Sequence, residues 1–140
     1  MPHHFDLSDD DFLKAFENAS LEPAVFSHEA HLRLAWIHIR YYGLEEAEQN
    51  IVRQLKNFVS ELGAEEKYHH TLTIAAVHAV HHFMEKSEHN NFKDFIEANP
   101  ELKSHFKELI HSHYSFDIFE SDEARKKFIE GDKQAFKSKI

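Results

Sequence analysis

The chain has 140 residues, the size of one typical domain, and a chain of this length buries about two thirds of its unfolded surface. With 16 Lys and Arg against 25 Asp and Glu, its formal net charge is −9, which argues against nucleic-acid or anionic-membrane partners. It has no cysteine, which excludes disulfides and thiolate metal sites made by this chain alone. Because no apolar run approaches the roughly 20 residues of a membrane span, and no signal-peptide segment opens the sequence, we expect a cytoplasmic protein.

Apolar residues recur mostly at helical spacing, and only three glycines and three prolines interrupt the chain. This pattern predicts an all-α protein, a compact bundle of about seven helices that forms a single domain over residues 1–140. We expect the first few residues and residues 132–140 to fray. In chain order, we predict one helix after a Ser8 cap, a second from a Ser27 cap to Gly43, a third from Glu45 to Gly63 and a fourth from Glu66 to Lys86. Two shorter helices flank Pro100, and the last helix runs from Ser121 through Phe128.

Histidine is the unusual residue of this sequence, with 14 copies. A wheel of about 100° per residue sorts those of the second helix by direction. His28 falls on the same side as Leu32, and His31 lies one turn along on that side. Glu29 and Arg33 fall on another side. The wheel therefore predicts that His28 and His31 face the apolar interior.

The same wheel applied to the fourth helix places His69 among apolar residues such as Ala76 and Val80. The other four histidines of this helix are predicted to be largely exposed: His70, His78, His81 and His82. His69 is therefore the third histidine that we expect to point inward.

Three inward imidazoles predict a mononuclear metal site formed by His28, His31 and His69. A buried imidazole must satisfy a donor and an acceptor, and a shared metal ion is one way to do so. Three nitrogen ligands with an open position suit zinc, nickel, iron(II) or copper, and the sequence does not distinguish among these divalent ions. If the protein is an enzyme, the metal activates water or holds a small-molecule substrate at the open position.

Several polar side chains are candidates for the pocket around this site. Thr73 either bonds a ligating imidazole or caps a helical carbonyl, and Arg125 either binds an anionic group or forms a surface salt bridge. The full set of predicted pocket residues is His38, Tyr68, Thr73, His113, Tyr114 and Arg125.

Three other interpretations of the histidines stay open. The pocket binds a small molecule without a metal, or the inward histidines are structural core residues. Alternatively, the exposed histidines of the fourth helix make the protein a pH-responsive interaction module, because protonation of all 14 histidines adds 14 charges and changes the net charge from −9 to +5.

Four short blocks resemble a group of small bacterial proteins of unassigned function. Their patterns are F-x-H-x-x-H-L, Y-H-x-T-x-T, Y-S and S-x-x-A-R, at residues 26–32, 68–73, 114–115 and 121–125. The resemblance covers roughly residues 26 to 130 and implies no activity. Its motif histidines fall on His28, His31 and His69. Related chains continue with Pro-Asp, where this chain has Gly131-Asp132.

Overall fold

The computed structural model describes residues 3–86 and 88–134, which form eight α-helices and four short 3₁₀ helices without any β-strand. This confirms the predicted all-α class. None of the helices described is long and apolar enough to cross a membrane. The α-helices are α1 Asp9–Glu17, α2 His28–Tyr42, α3 Leu44–Glu61, α4 His70–Lys86, α5 Phe92–Ala98, α6 Glu101–Ser104, α7 Phe106–His111 and α8 Asp122–Lys126. The 3₁₀ helices are His4–Asp6, Pro23–Val25, Glu65–Lys67 and Ile118–Glu120.

Serine caps begin three of the helices at the predicted positions. The hydroxyls of Ser8, Ser27 and Ser121 each accept a hydrogen bond from the backbone N–H three residues later, at 3.2, 3.1 and 3.1 Å. Each bond satisfies one of the N–H groups that the first helical turn leaves without a partner.

Two predicted helix limits are wrong, and in both cases an extended residue breaks the helix. The fourth helix begins at His70 rather than near Glu66, because Tyr68 is extended with φ −71° and ψ 130°. The last helix ends at Lys126 rather than Phe128, because Lys127 is extended with φ −142° and ψ 158°.

The segment after Pro100 contains two short helices where one is predicted. His105, with φ −130° and ψ 30°, separates α6 from α7. The described residues therefore form eight α-helices, one more than the sequence pattern indicates.

The chain divides into two compact units, Met1–Tyr68 and His69–Ile140. The single domain over residues 1–140 stays a prediction. In the first unit, α3 packs against both α1 and α2, and Phe16 and Phe58 contact each other with ring centroids 5.1 Å apart. In the second unit, α4 packs against α8. The buried cluster of the second unit comprises Ala75, Ile110, Tyr114, Ile118 and Ala124.

Both ends of the described chain make specific contacts. His4 is 1% exposed, and the backbone N–H of Ser115 donates to the carboxylate of Asp132 at 2.9 Å. The remaining part of the predicted fraying, at residues 1–2 and 135–140, lies outside the described residues.

Gly43 is the single residue between α2 and α3. Its backbone conformation is one that only glycine adopts readily. Its φ is 84° and its ψ is 168°, a region that costs other residues about 1–3 kcal/mol. We therefore expect Gly43→Ala to lower the free energy of unfolding by about 1–3 kcal/mol, as measured by urea denaturation.

Gly63→Ala is the matched comparison for Gly43→Ala, since an added Cβ meets no atom within 4 Å at either position. The φ of 65° at Gly63 is in the left-handed region that other residues also visit. We therefore expect Gly63→Ala to lower the free energy of unfolding less than Gly43→Ala does. A loss for Gly43→Ala that is equal to or smaller than that for Gly63→Ala contradicts this expectation.

Candidate functional site

A polar cluster in the first unit joins the start of the chain to α2. His4 Nε2 lies 2.7 Å from Glu29 Oε1, and His3 Nε2 lies 3.7 Å from the same oxygen. The side chain of His4 is 0% exposed and that of Glu29 is 10% exposed, whereas that of His3 is 54% exposed. The cluster is therefore buried on one side and open to solvent at His3.

Arg33 holds the segment that carries the two histidines. Its Nη1 donates to the carbonyl oxygen of His4 at 2.5 Å, and its Nη2 donates to the carbonyl oxygen of Leu7 at 2.9 Å and to Asp9 Oδ1 at 2.8 Å. The guanidinium also lies over the ring of Phe12, 4.8 Å from its centroid. One buried arginine thus fixes the segment from His4 to Asp9 against α2.

The hydrogen bonds define which ring nitrogens carry protons. His3 Nδ1 accepts from the backbone N–H of Phe5 at 3.1 Å, and His4 Nδ1 lies 3.3 Å from Arg33 Nη1, which is only a donor. Each neutral ring therefore carries its proton on Nε2, directed toward Glu29. Burial lowers the pKa of His4, while its hydrogen bond to Glu29 acts in the opposite direction.

His3, His4 and Glu29 are also the set of described residues whose arrangement suits a metal ion. One ligand atom from each lies within 4.8 Å of the others. Two imidazoles and one carboxylate form the ligand set of many zinc and non-haem iron(II) sites. The local sequence gave no signal for this set, because 25 residues separate His4 from Glu29.

The predicted orientation of α2 is wrong at His28, and the side that carries Glu29 and Arg33 is buried as well. Glu29 and Arg33 are 8% and 4% exposed, whereas His28, predicted to face inward, is exposed. The segment from His4 to Asp9 covers the side of α2 that carries Glu29 and Arg33. A wheel ranks directions only by the residues of one helix and cannot include such a covering segment.

Of the three predicted metal ligands, His31 has a buried ring nitrogen that is available to bind a metal ion or a hydrogen-bonding group. The ring is half-buried overall, but its Nε2 is buried and makes no hydrogen bond within the described parts of the chain. Burial, and then the nearby charge of His28, lower the pKa of His31 to about 4. His31 is therefore neutral at pH 7.

His69, in the second unit, uses both ring nitrogens in hydrogen bonds. Its Nε2 donates to the carbonyl oxygen of Ile118 at 2.9 Å, and its Nδ1 accepts from the backbone N–H of Leu72 at 3.1 Å. A metal on His69 must displace one of these bonds. The assignment of His28, His31 and His69 to one metal stays a prediction.

The predicted pocket residues of the second unit mostly bond to nearby backbone or side chains. Thr73 Oγ1 donates to the carbonyl oxygen of His69 at 2.7 Å, which is the helix-capping alternative. Tyr114 Oη donates to the carbonyl oxygen of Ile129 at 2.5 Å, and burial raises the pKa of this phenol.

His113 and Arg125 also have close partners in the second unit. His113 Nδ1 lies 2.8 Å from the carbonyl oxygen of Gln134, and Arg125 Nε lies 3.9 Å from Asp122 Oδ1. The ion pair matches the salt-bridge alternative for Arg125. In the first unit, Tyr68 lies beneath Lys56, whose Nζ is 5.5 Å from the ring centroid.

The four histidines of α4 that the wheel predicts to be exposed are less accessible than expected. Only His82 is exposed, whereas His70, His78 and His81 are half-buried. The interaction surface built from these four side chains is therefore narrower than the sequence indicates.

His38 lies in the wall of a cavity in the first unit, between α1, α2 and α3. The cavity has a volume of about 530 Å³. His38 is 3% exposed, and neither of its ring nitrogens has a hydrogen-bond partner among residues 3–86 and 88–134.

Comparison with protein-family models, with curated proteins and with solved structures finds no match to this chain. The resemblance carried by the four sequence blocks stays a prediction.

Proposed function

We propose that this protein binds one divalent metal ion through His3, His4 and Glu29. The observation that carries the proposal is the convergence of two imidazole nitrogens and a carboxylate oxygen within 4.8 Å. This ligand set leaves coordination positions open, and the exposed side of His3 gives solvent and small molecules access to them. A metal with open positions and solvent access suits the activation of water or the binding of a small substrate.

Metal binding at this cluster must displace protons. Both Nε2 atoms carry hydrogen when the rings are neutral, so a metal at Nε2 requires each ring to move its proton to Nδ1 or release it. At His4 this opposes Arg33, which lies 3.3 Å from Nδ1 and can only donate. We therefore expect Arg33 to move when the ion binds. We also expect the ion to bind more weakly as the pH falls, because a protonated imidazole has no nitrogen lone pair for the metal.

Elemental analysis of untagged protein that has never contacted a nickel column tests the proposal. We expect about one equivalent of metal in the parent, and its loss in Glu29→Gln and His4→Ala. The Gln variant removes the anionic ligand and keeps the side-chain size, so a folded protein without metal is the informative result. His82→Ala, which changes an exposed histidine on α4, is the control that keeps the metal.

A second candidate is the metal site predicted from the sequence at His28, His31 and His69. The buried Nε2 of His31, without a hydrogen-bond partner in the described residues, favours it. The same analysis separates the two sites. Metal that survives Glu29→Gln but is lost in His31→Ala and His69→Ala contradicts the first proposal and supports the second.

A further inference from the structure

Phe5 is an exposed apolar side chain beside the cluster of His3, His4 and Glu29. Its ring centroid lies 4.2 Å from that of His4 and 5.4 Å from that of His3. Phe5 is 41% exposed, and the side chain of His3 is 54% exposed, whereas His4 and Glu29 are buried. Phe5 and His3 therefore form the surface that a molecule meets when it approaches the cluster from solvent.

The backbone holds Phe5 in a defined position beside the two histidines. Phe5 lies within the 3₁₀ helix His4–Asp6, and its N–H donates to His3 Nδ1 at 3.1 Å. The N–H of His3 donates in turn to Asp6 Oδ2 at 3.0 Å. The guanidinium of Arg33, which fixes this segment, lies 5.5 Å from the centroid of the Phe5 ring. The phenyl ring is therefore placed by the same contacts that place the two imidazoles.

The charges around the cluster favour an anionic group on the molecule that a bound metal ion would hold. Asp9 balances the charge of Arg33, since the two form an ion pair at 2.8 Å. Glu29 supplies one negative charge against the two of a divalent ion, and imidazole ligands are neutral. The carboxylate of Asp6 is exposed, so solvent screens it. One positive charge therefore remains for an anionic oxygen at the open coordination positions.

We propose that the substrate of this site is a small aromatic carboxylate, whose anionic oxygens bind the metal ion while its ring packs on Phe5. Two aromatic rings in contact attract each other beyond the effect of the area that they bury. The inference rests on the proposed metal site, to which it adds a substrate class and a residue that determines specificity.

Acetohydroxamate and benzohydroxamate are a matched pair of probes for this substrate class. They share one anionic metal-binding group with two oxygen ligands, and they differ in a methyl against a phenyl group. We load the whole, untagged protein with Co(II) and follow the visible absorption bands of the ion during titration with each probe. We expect benzohydroxamate to bind about fivefold more tightly than acetohydroxamate, which is the size of one aromatic contact.

Variants at two phenylalanines decide whether this preference comes from Phe5. Phe5→Ala should lower the affinity ratio of the two probes by at least about threefold, and the remaining ratio measures their intrinsic difference. Phe116→Ala is the matched control, because Phe116 is also 41% exposed but lies in the second unit. It should leave the ratio unchanged. If Phe5→Ala loses the Co(II) bands, Phe5→Leu, which keeps an apolar side chain without a ring, replaces it.

The outcomes separate this inference from the proposed metal site. A parent protein without Co(II) bands, or bands that persist unchanged in Glu29→Gln, contradicts the metal site and the inference with it. If the parent shows the bands but binds the two probes equally well, only the inference on the substrate is overturned. An affinity ratio that is the same in the parent and in the Phe5 variant that keeps the bands overturns it as well.

Discussion

Arg33→Met is expected to lower the free energy of unfolding by about 3 kcal/mol. The arginine is 4% exposed. It donates hydrogen bonds to the backbone carbonyls of His4 and Leu7 and to the carboxylate of Asp9. Hydrogen bonds from a charged donor contribute about 1.5–3 kcal/mol each, and part of their sum is offset because methionine avoids burying a charge. Methionine keeps an unbranched apolar side chain but removes the guanidinium, which lies over the ring of Phe12.

Urea denaturation in the presence of EDTA measures this loss without a contribution from metal. Arg40→Met is the control on the same helix, because Arg40 is exposed and lies over the ring of Trp36, 5.0 Å from its centroid. We expect the control to lose less than about 1 kcal/mol. If Arg33→Met loses no more than Arg40→Met, the arginine does not anchor the first residues.

Mild acid is expected to destabilise the protein by about 3 kcal/mol between pH 7 and pH 5. The pKa values of His31 and His38 are lowered to about 4, against 6.5 in the unfolded chain. The unfolded state therefore binds more protons in this window, so the stability is full above pH 6.5 and is lost as the pH falls toward 4. The lowered pKa values of His4 and His69 act in the same direction.

The measurement is the free energy of unfolding at several pH values from 7 to 5, where most carboxylates stay ionised. In the double variant His31→Gln and His38→Gln, neither side chain titrates, and we expect a much weaker pH dependence. His105→Gln, at an exposed position, is the control and should leave the slope unchanged. A flat parent profile is incompatible with lowered pKa values at His31 and His38.

Local signals were sufficient to predict much of the fold. The caps at Ser8 and Ser27 and the turn at Gly43 depend on hydrogen bonds and backbone angles within a few residues, so the sequence pattern located them. The start of α4 was misplaced because the helical spacing of apolar residues continues across Tyr68. Nothing in that spacing reports the extended backbone of this residue.

The candidate site depends on contacts that no local pattern contains. In the sequence, Glu29 and Arg33 lie on the polar side of an amphipathic helix. In the structure, the segment that includes His4 covers this side and buries both residues. The absence of a hydrogen-bond partner for the His38 ring within residues 3–86 and 88–134 is equally invisible in the sequence, because it depends on tertiary contacts. Composition drew attention to histidine, but only the tertiary structure shows which histidines lie close to one another.

The single residue between α2 and α3 has a consequence for the order of folding. A one-residue connection makes the contacts of this helical pair local in sequence, so closing the hairpin costs little chain entropy. The bond from His4 to Glu29 spans 25 residues and forms only after the start of the chain has found α2. We therefore expect the helical hairpin of α2 and α3 to form before the first residues of the chain bring His4 to Glu29.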